Sequence, residues 1–414
     1  MTARRLVVVG NGMAARRLLE ELLARAPRRY RITVVGDEPG AGYNRVMLSP
    51  LLAGATGEDA IVTHPAAWYR RHGIRLISGT PVTAIDRRRR QVRTGAGHRL
   101  AYDRLVLATG AAPRRLALPG ADLDGVLSFR DLADTRRLQG LAPRALVVVG
   151  GGFLGLEAAE ALLRRGHRVT LVHGHGHPLN QQLDASAGAR LRADLEARGL
   201  RFVLNHRPAA LESDGRGAVT AVRLDDGRRL PADAVIQAVG IEPRVALARQ
   251  CGLALGRHGV RVDDTLQTFD PRVYAVGECV EHRGRTFGLV APLYHQARVC
   301  AGHLAEQGLE RYHFEGAATR LKIGGIDLLS AGDFLGGEGD QVITLDDPAG
   351  GYRRLVLRDH RLVGLVLYGD VADGPFYETL WREGRDLSAL RLKLPFGEAA
   401  CAPSRPAAAE EAAA

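Results

Sequence analysis

The sequence predicts an α/β fold: two nested units with parallel sheets, followed by a smaller α+β domain. Three observations predict it. An apolar strand running into a glycine turn and then a helix occurs twice, at "RLVVVGNG" and at "RALVVVGGG". Each unit later offers a strand of the same kind, "RLVLATGAAP" at 104–113 and "AVIQAVGIEP" at 234–243. From about residue 313 the texture changes to short strands joined by glycine and aspartate turns.

The elements follow in order. "RLVVVG" is a buried strand, "MAARRLLEELLARA" has apolar residues at helical spacing, and "YRITVVGDE" is a second strand. Strand, helix and strand in that order make a β-α-β unit, which implies a parallel sheet covered by helices. The pattern restarts in "RALVVVGGGFLGLEAAEALLRRGHRVTLVH", so the second unit (114–242) lies inside the first (1–113 and 243–312). "ATRLKIGGIDLLSAGDF", "GDQVITLDD" and "GYRRLVLRDHRLVGLVLYGD" supply the strands of a C-terminal α+β domain at 313–396, and "PFYETLWREG" its helix. The stretch 397–414, "GEAACAPSRPAAAEEAAA", is low in complexity and is expected to be disordered.

Composition narrows the function classes. A chain of 414 residues can bury a large core in two or three domains. No run approaches the roughly 18–20 apolar residues of a membrane span, and "MTARRLVVVG" enters a strand at once, so a cytoplasmic protein is expected. Cys251, Cys279, Cys300 and Cys401 never form a C-x-x-C, which argues against a disulfide framework, a zinc ribbon and an iron–sulfur cluster. The net charge of +11 is carried by arginine, with lysine only at Lys322 and Lys393. No nucleic-acid-reading module accompanies it. A basic surface would instead favour an acidic protein partner. "RRRR" at 87–90 reads as a solvated hairpin turn between two strands. His173, His175 and His177 alternate like a metal tract, but incidental histidines in a glycine-rich surface loop are the preferred reading. "AVGECVEH" (275–282) sets Cys279 near His282, yet no clustered cysteine could complete a site. No metal is expected.

The glycine turns carry the chemistry. Gly10-Asn11-Gly12-Met13-Ala14-Ala15 follows a strand and opens a helix. The first glycine makes the turn, the second lets backbone approach a pyrophosphate, and the third small residue lets the helix pack close. The helix N-terminus presents free amides to the phosphates. Asp37 and Glu38 follow the second strand, where an acid holds a ribose diol. Gly150-Gly151-Gly152-Phe153-Leu154-Gly155 repeats the fingerprint, but its second strand ends in His173 and continues "GHGHP", with neither the acid of an NAD site nor the arginine of an NADP site. Two such Rossmann-type units imply two dinucleotides, and the economical chemistry between them is hydride transfer from a nicotinamide to a flavin.

"VVVGNGMAARRLLEEL", "ITVVGDEPGAGYNRVMLSP", "LVLATGAAP", "VVVGGGFLGLEAA", "AVGIEP" and "TFDPRVYAVGECVEH" occur in order over about 4–300. The series resembles the FAD-dependent pyridine nucleotide-disulfide oxidoreductases, the glutathione-reductase-like superfamily. "YNRVMLSP", "VGECVEHRG", "GLVAPLYHQA" and "LKIGGIDLLSAGDF" are similar to the flavoprotein module of bacterial NAD(P)H nitrite reductase large subunits, with rubredoxin and ferredoxin reductases as neighbours. The resemblance implies FAD along Gly10, Gly12, Met13, Ala14 and Ala15, with Glu38 rather than Asp37 on the adenosine ribose. It implies further FAD contacts at Asn44, Arg45, Ser49, Val82, Ala108, Thr109, Gly110 and Gly277, and Glu278 on the ribityl hydroxyls in place of the family's aspartate. It implies NAD(P)H along Gly150, Gly152, Phe153, Leu154, Gly155, His173, Val239 and Gly240, with Glu157 in a positioning role near the junction. No side chain is expected to act as a catalytic nucleophile or base.

The departures matter too. The redox C-x-x-x-x-C of the disulfide reductases is missing, as is the single active cysteine of the flavin peroxidases, so thiol chemistry is not expected. Full nitrite reductase subunits continue into cluster and siroheme domains, so the resemblance implies that this stretch does not reduce nitrite alone. The expected function is an FAD-dependent NAD(P)H oxidoreductase passing electrons to a separate acceptor protein, a nitrite or nitrate reductase component. A rubredoxin or ferredoxin reductase is the alternative, and an FAD- and NAD(P)H-binding sensor or scaffold without turnover is the alternative of another class. The C-terminal domain would serve as an interface domain. A homodimer stands among the arrangements open to the chain. The sequence names neither the acceptor, nor NADH over NADPH, nor the oligomeric state, nor any role for the tail.

Overall fold

The computed structural model describes residues 3–142, 144–314, 316–347 and 351–402. Ten strands of the first compact unit (1–175 and 196–315) matter for the site. In chain order they are β1 (Arg4–Val9), β2 (Tyr30–Val35), β3 (Arg75–Ile77), β4 (Arg104–Leu107), β5 (Val126–Ser128), β6 (Ala145–Val149), β7 (Arg168–His173), β8 (Arg201–Leu204), β9 (Ala234–Gln237) and β10 (Val273–Ala275). They form two five-stranded sheets, β10-β4-β1-β2-β3 and β5-β9-β6-β7-β8, with every neighbouring pair parallel. Both have the same plan: the strand before the glycine turn sits in the middle, its β-α-β partner on one side and the returning strand on the other. A parallel sheet covered on both faces needs continuous apolar strands, and "LVVV" of β1 and "LVVV" of β6 are buried at every position.

Three helices of this unit position the site: α1 (Met13–Arg25), α2 (Leu48–Leu52) and α3 (Phe153–Arg164). α1 buries Ala14, Ala15, Leu18, Leu19 and Leu22, a stripe at helical spacing, and packs beside the helix Val290–Leu304. The arginine run at 87–90 does form the turn between the strands Val82–Asp86 and Gln91–Thr94. It is not wholly solvated: Arg87 pairs with Asp270 at 2.9 Å and donates to the carbonyls of Cys251 and Gly252, pinning the hairpin down.

The second compact unit comprises 176–195 and 316–414. Its sheet, β11 (Thr319–Ile323), β12 (Ile326–Gly332), β13 (Gln341–Asp347), β14 (Gly351–Arg358) and β15 (Arg361–Tyr368), is antiparallel in the order β11-β12-β15-β14-β13. The helix α4 (Ala185–Glu196) belongs to it up to Leu195, and α5 (Gly374–Glu383) buries Tyr377 and Leu380 against Leu329, Leu365 and Leu367. The Tyr352 hydroxyl donates to Asp184 at 2.7 Å, Tyr368 bonds Asp194, and Arg190 pairs with Asp346. The expected inner domain, an unbroken 114–242, does not anticipate this excursion of 176–195. Of the tail expected to be disordered, Glu398–Cys401 forms one helical turn, and 403–414 lie outside the described residues. Among the described residues no helix is long and apolar enough to cross a membrane.

Candidate functional site

The loops after β1 and β6 are built alike. Gly10 turns the chain at φ +111°, its amide donating to the Val35 carbonyl at 2.7 Å; a β carbon there would fall 2.0 Å from the Ala108 oxygen. Gly150 turns at φ +116°, donates to Val172 at 2.9 Å, and leaves its β carbon 2.2 Å from the Ala238 oxygen. Only glycine can occupy either position, because both the dihedral and the carbonyl of the returning strand forbid a side chain.

Gly12 and Gly152 are different. They sit at the N-caps of α1 and α3 with extended backbone, and a β carbon on either would meet nothing within 4 Å among the described residues. No described side chain caps these helix starts, and their first turns, Met13 and Ala14 in α1 and Phe153 and Leu154 in α3, contain no acid. Unsatisfied amides at the positive end of a helix, facing open space, suit an anionic diphosphate. The loops part at the third position. Ala15 is fully buried with its methyl accommodated, whereas a β carbon on Gly155 would lie 1.9 Å from the Gly150 oxygen.

Around the first loop, Gly277 donates its amide to the buried Gln296 Oε1 at 2.8 Å, and a β carbon on it would touch that of Ala14 at 3.1 Å. The close approach carries Glu278 to the mouth of the loop. Its carboxylate pairs with Arg130, the two side chains only 13% and 17% exposed, and it lies 3.6 Å from where a β carbon on Gly110 would stand. Glu38 accepts from the Tyr43 hydroxyl at 2.6 Å and pairs with Arg45; Arg45 in turn donates to the Arg130 carbonyl at 2.9 Å. The two ion pairs, Glu38–Arg45 and Arg130–Glu278, are therefore joined through the Arg130 carbonyl. Asp37 lies apart, at the surface, 2.7 Å from Arg244. Asn44 accepts from the Val46 amide at 3.1 Å and caps its own short turn. The Thr109 hydroxyl donates to the Arg244 carbonyl at 2.8 Å, and Val82 opens its strand half-buried.

One side-chain bond joins the surroundings of the two loops. Ser49 of α2 donates to Glu157 Oε2 of α3 at 2.7 Å. Burial raises the Glu157 carboxyl above the ordinary range, and the Ser49 hydrogen bond opposes that. Beyond β9, Gly240 (φ +102°) accepts from the Arg114 amide at 2.9 Å, and Val239 packs against the apolar core beneath. His173 ends β7 directly under the second loop: the Gly151 amide donates to its Nδ1 at 3.1 Å, and a β carbon on Gly151 would come within 2.7 Å of the ring.

The Cys279 thiol points at the carbonyls of Val276 and Leu107, and burial pushes its pKa up; His282 Nε2 bonds Asp264 at 2.8 Å. The two residues serve different partners. In the histidine tract, His177 Nδ1 faces the Pro178 carbonyl at 3.0 Å. Among the described residues, the side chains close enough to share a metal are His206, Asp225 and Asp226, a solvent-facing group in which Asp226 already pairs with Arg228 at 2.5 Å. Sequence reasoning missed Arg130, Tyr43 and Gln296. Tyr43 stands beside a residue that was singled out, and Gln296 lies within the quoted "GLVAPLYHQA" without a role assigned to it, but Arg130 lies in no motif and meets the site only through the fold.

Residues 4–300 match the family described as pyridine nucleotide-disulphide oxidoreductase, and residues 318–384 match the rubredoxin NAD+ reductase C-terminal domain. The chain is 40% identical over 393 residues to a nitrite reductase [NAD(P)H] of Bacillus subtilis (strain 168), covering 94% of this chain and 48% of that protein. It is 39% identical over 397 residues to the assimilatory nitrate reductase electron transfer subunit of the same organism, covering 95% and 51%. It spans about half the length of these curated relatives. A solved covalent putidaredoxin reductase–putidaredoxin complex contains a similar chain, at a TM-score of 0.83 and 27% identity over 96% of this chain and 99% of that one. FAD and NAD(P)H fit the residues present, since a β carbon on Gly12 or Gly152 would meet nothing within 4 Å and neither helix carries an acid in its first turn.

Proposed function

The chain belongs to the pyridine nucleotide-disulphide oxidoreductase family, and from that premise we propose that this FAD-dependent oxidoreductase passes electrons from NAD(P)H to a separate acceptor protein, a nitrite or nitrate reductase component. The observation that carries the reading is the pair of matched glycine loops joined through Ser49 and Glu157. FAD, when bound, supplies a hydride acceptor that can release electrons singly or in pairs.

The protein's own part is to bind, orient and exclude. Gly12 and the α1 amides hold one diphosphate, and Gly152 and the α3 amides the other. Glu278 keeps lone pairs free after its bond to Arg130 and takes a ribityl hydroxyl. Glu38, fixed by Tyr43 and Arg45, takes the adenosine diol. Glu157, whose carboxyl pKa burial raises and whose Oε2 is held by Ser49, positions the nicotinamide. NADH and NADPH are reductants of the cytoplasm, and the reading places the protein there.

A second reading is a ferredoxin- or rubredoxin-type reductase, favoured by the match of residues 318–384 and by the likeness to the reductase of the putidaredoxin complex. Both readings require steady NAD(P)H oxidation by the purified FAD-loaded protein with an artificial acceptor. Absence of turnover with either nucleotide would leave only a sensor or scaffold. Adding a purified siroheme nitrite reductase component, then a ferredoxin or rubredoxin, decides between the two by which one raises the rate.

A further inference from the structure

The strand β7 ends at His173, and the residues after it along the chain supply no arginine and no acid. The structure brings an arginine there from elsewhere. Arg207 follows β8, the neighbour of β7, and its side chain lies across Gly174: a β carbon on that glycine would sit 2.7 Å from the Arg207 Nε and 3.1 Å from its Cγ. Arg207 is exposed, and among the described residues its guanidinium makes no ion pair. His175 is exposed beside it, its ring 5.2 Å from that of His173.

The end of the second strand of a dinucleotide-binding unit is where the adenosine ribose lies. An acid there accepts from the 2′-hydroxyl of NAD, and an arginine accommodates the 2′-phosphate of NADP. The nearby carboxylates are already engaged. Asp225 takes His206 at 3.0 Å and the Arg207 backbone amide at 3.2 Å, and Asp226 takes Arg228. We propose that Arg207, laid across Gly174 beside His175, is the 2′-phosphate site of the second loop, so that the protein prefers NADPH to NADH. This rests on the reading that the second loop holds the nicotinamide dinucleotide.

The planar guanidinium offers paired donors matched to a phosphate, and a charge-assisted contact of this kind changes affinity by about tenfold to a hundredfold. The test is calorimetric titration of the FAD-loaded full chain with adenosine 2′,5′-bisphosphate and with 5′-AMP. The wild type should favour the bisphosphate by about tenfold or more. Arg207→Ala should lower that ratio by a similar factor, and Arg207→Lys should restore part of it. Flavin bleaching on addition of NADPH and of NADH, followed in the same samples, gives the second readout. Equal binding of the two fragments, or a ratio unmoved by Arg207→Ala, overturns the proposal while NADH-driven bleaching keeps the oxidoreductase reading intact. If neither nucleotide bleaches the flavin and neither fragment binds, both fall together.

Discussion

Following β2, the first loop is flanked by Glu38, which Tyr43 and Arg45 hold in place. Following β7, the second is flanked by His173, tucked under Gly151, with Arg207 crossing the next residue. The floors of the two loops are the same: a positive-φ glycine pressed by an alanine carbonyl, then a glycine open to space at a helix start. Sterics leave no residue but glycine at Gly10 and Gly150, whereas Gly12 and Gly152 stay open, as the proposed diphosphates require. The rim only has to offer a charge of the right sign, which several residue types can do from different strands. On the proposed reading, common binding chemistry lies in the floor and ligand choice in the rim.

The largest expected effect is at the third position, where the loops already differ. Gly155→Ala puts a methyl into the Gly150 carbonyl and should cost about 3 kcal/mol or more, with loss of the nicotinamide site. Ala15→Gly only loosens a helix, by about 0.5–1 kcal/mol. Thermal unfolding with flavin content measured alongside checks both, and equal losses would break the comparison. Next come Gly12→Asp and Gly152→Asp, which add a charge where a β carbon meets nothing within 4 Å. Each should weaken its own dinucleotide by about tenfold or more and leave the other's binding in place, as fluorescence titration of FAD and of NAD(P)H would show.

A smaller effect is expected where the rim of the first loop is braced. Arg130→Ala strands the Glu278 carboxylate with little solvent, at a cost of about 1–3 kcal/mol, and should speed FAD loss on dilution. The smallest effect is at the junction. The folded Glu157 binds its proton more tightly than the unfolded chain does, so its contribution worsens as pH rises from about 4 through the raised value. Glu157→Gln should therefore unfold at a slightly higher temperature than wild type near neutral pH, with the advantage fading below about pH 4. A difference that grows on acidification would contradict the direction of that shift.

What could be read from the sequence was what is local. The β-α-β units, their nesting and both glycine floors are written in short stretches where strand, turn and helix adjoin. The excursion of 176–195 was not legible, because its fixing contacts lie far off in sequence; Tyr352 and Asp184 are 168 residues apart. Arg207 escaped for the same reason: the motif directs attention to the residues after His173, while the fold brings the side chain across from β8. Arg130 reaches Glu278 over 148 residues and carries no signature of its own. His173 was visible as a departure, but only the Gly151 hydrogen bond shows that its ring props up the loop.

The most direct test of the account is the visible spectrum of the purified protein under anaerobic conditions, before and after NADPH and, separately, NADH. Bound oxidised flavin should bleach on mixing, faster with NADPH. A protein that holds no flavin, or flavin that stays oxidised with both nucleotides, would contradict it.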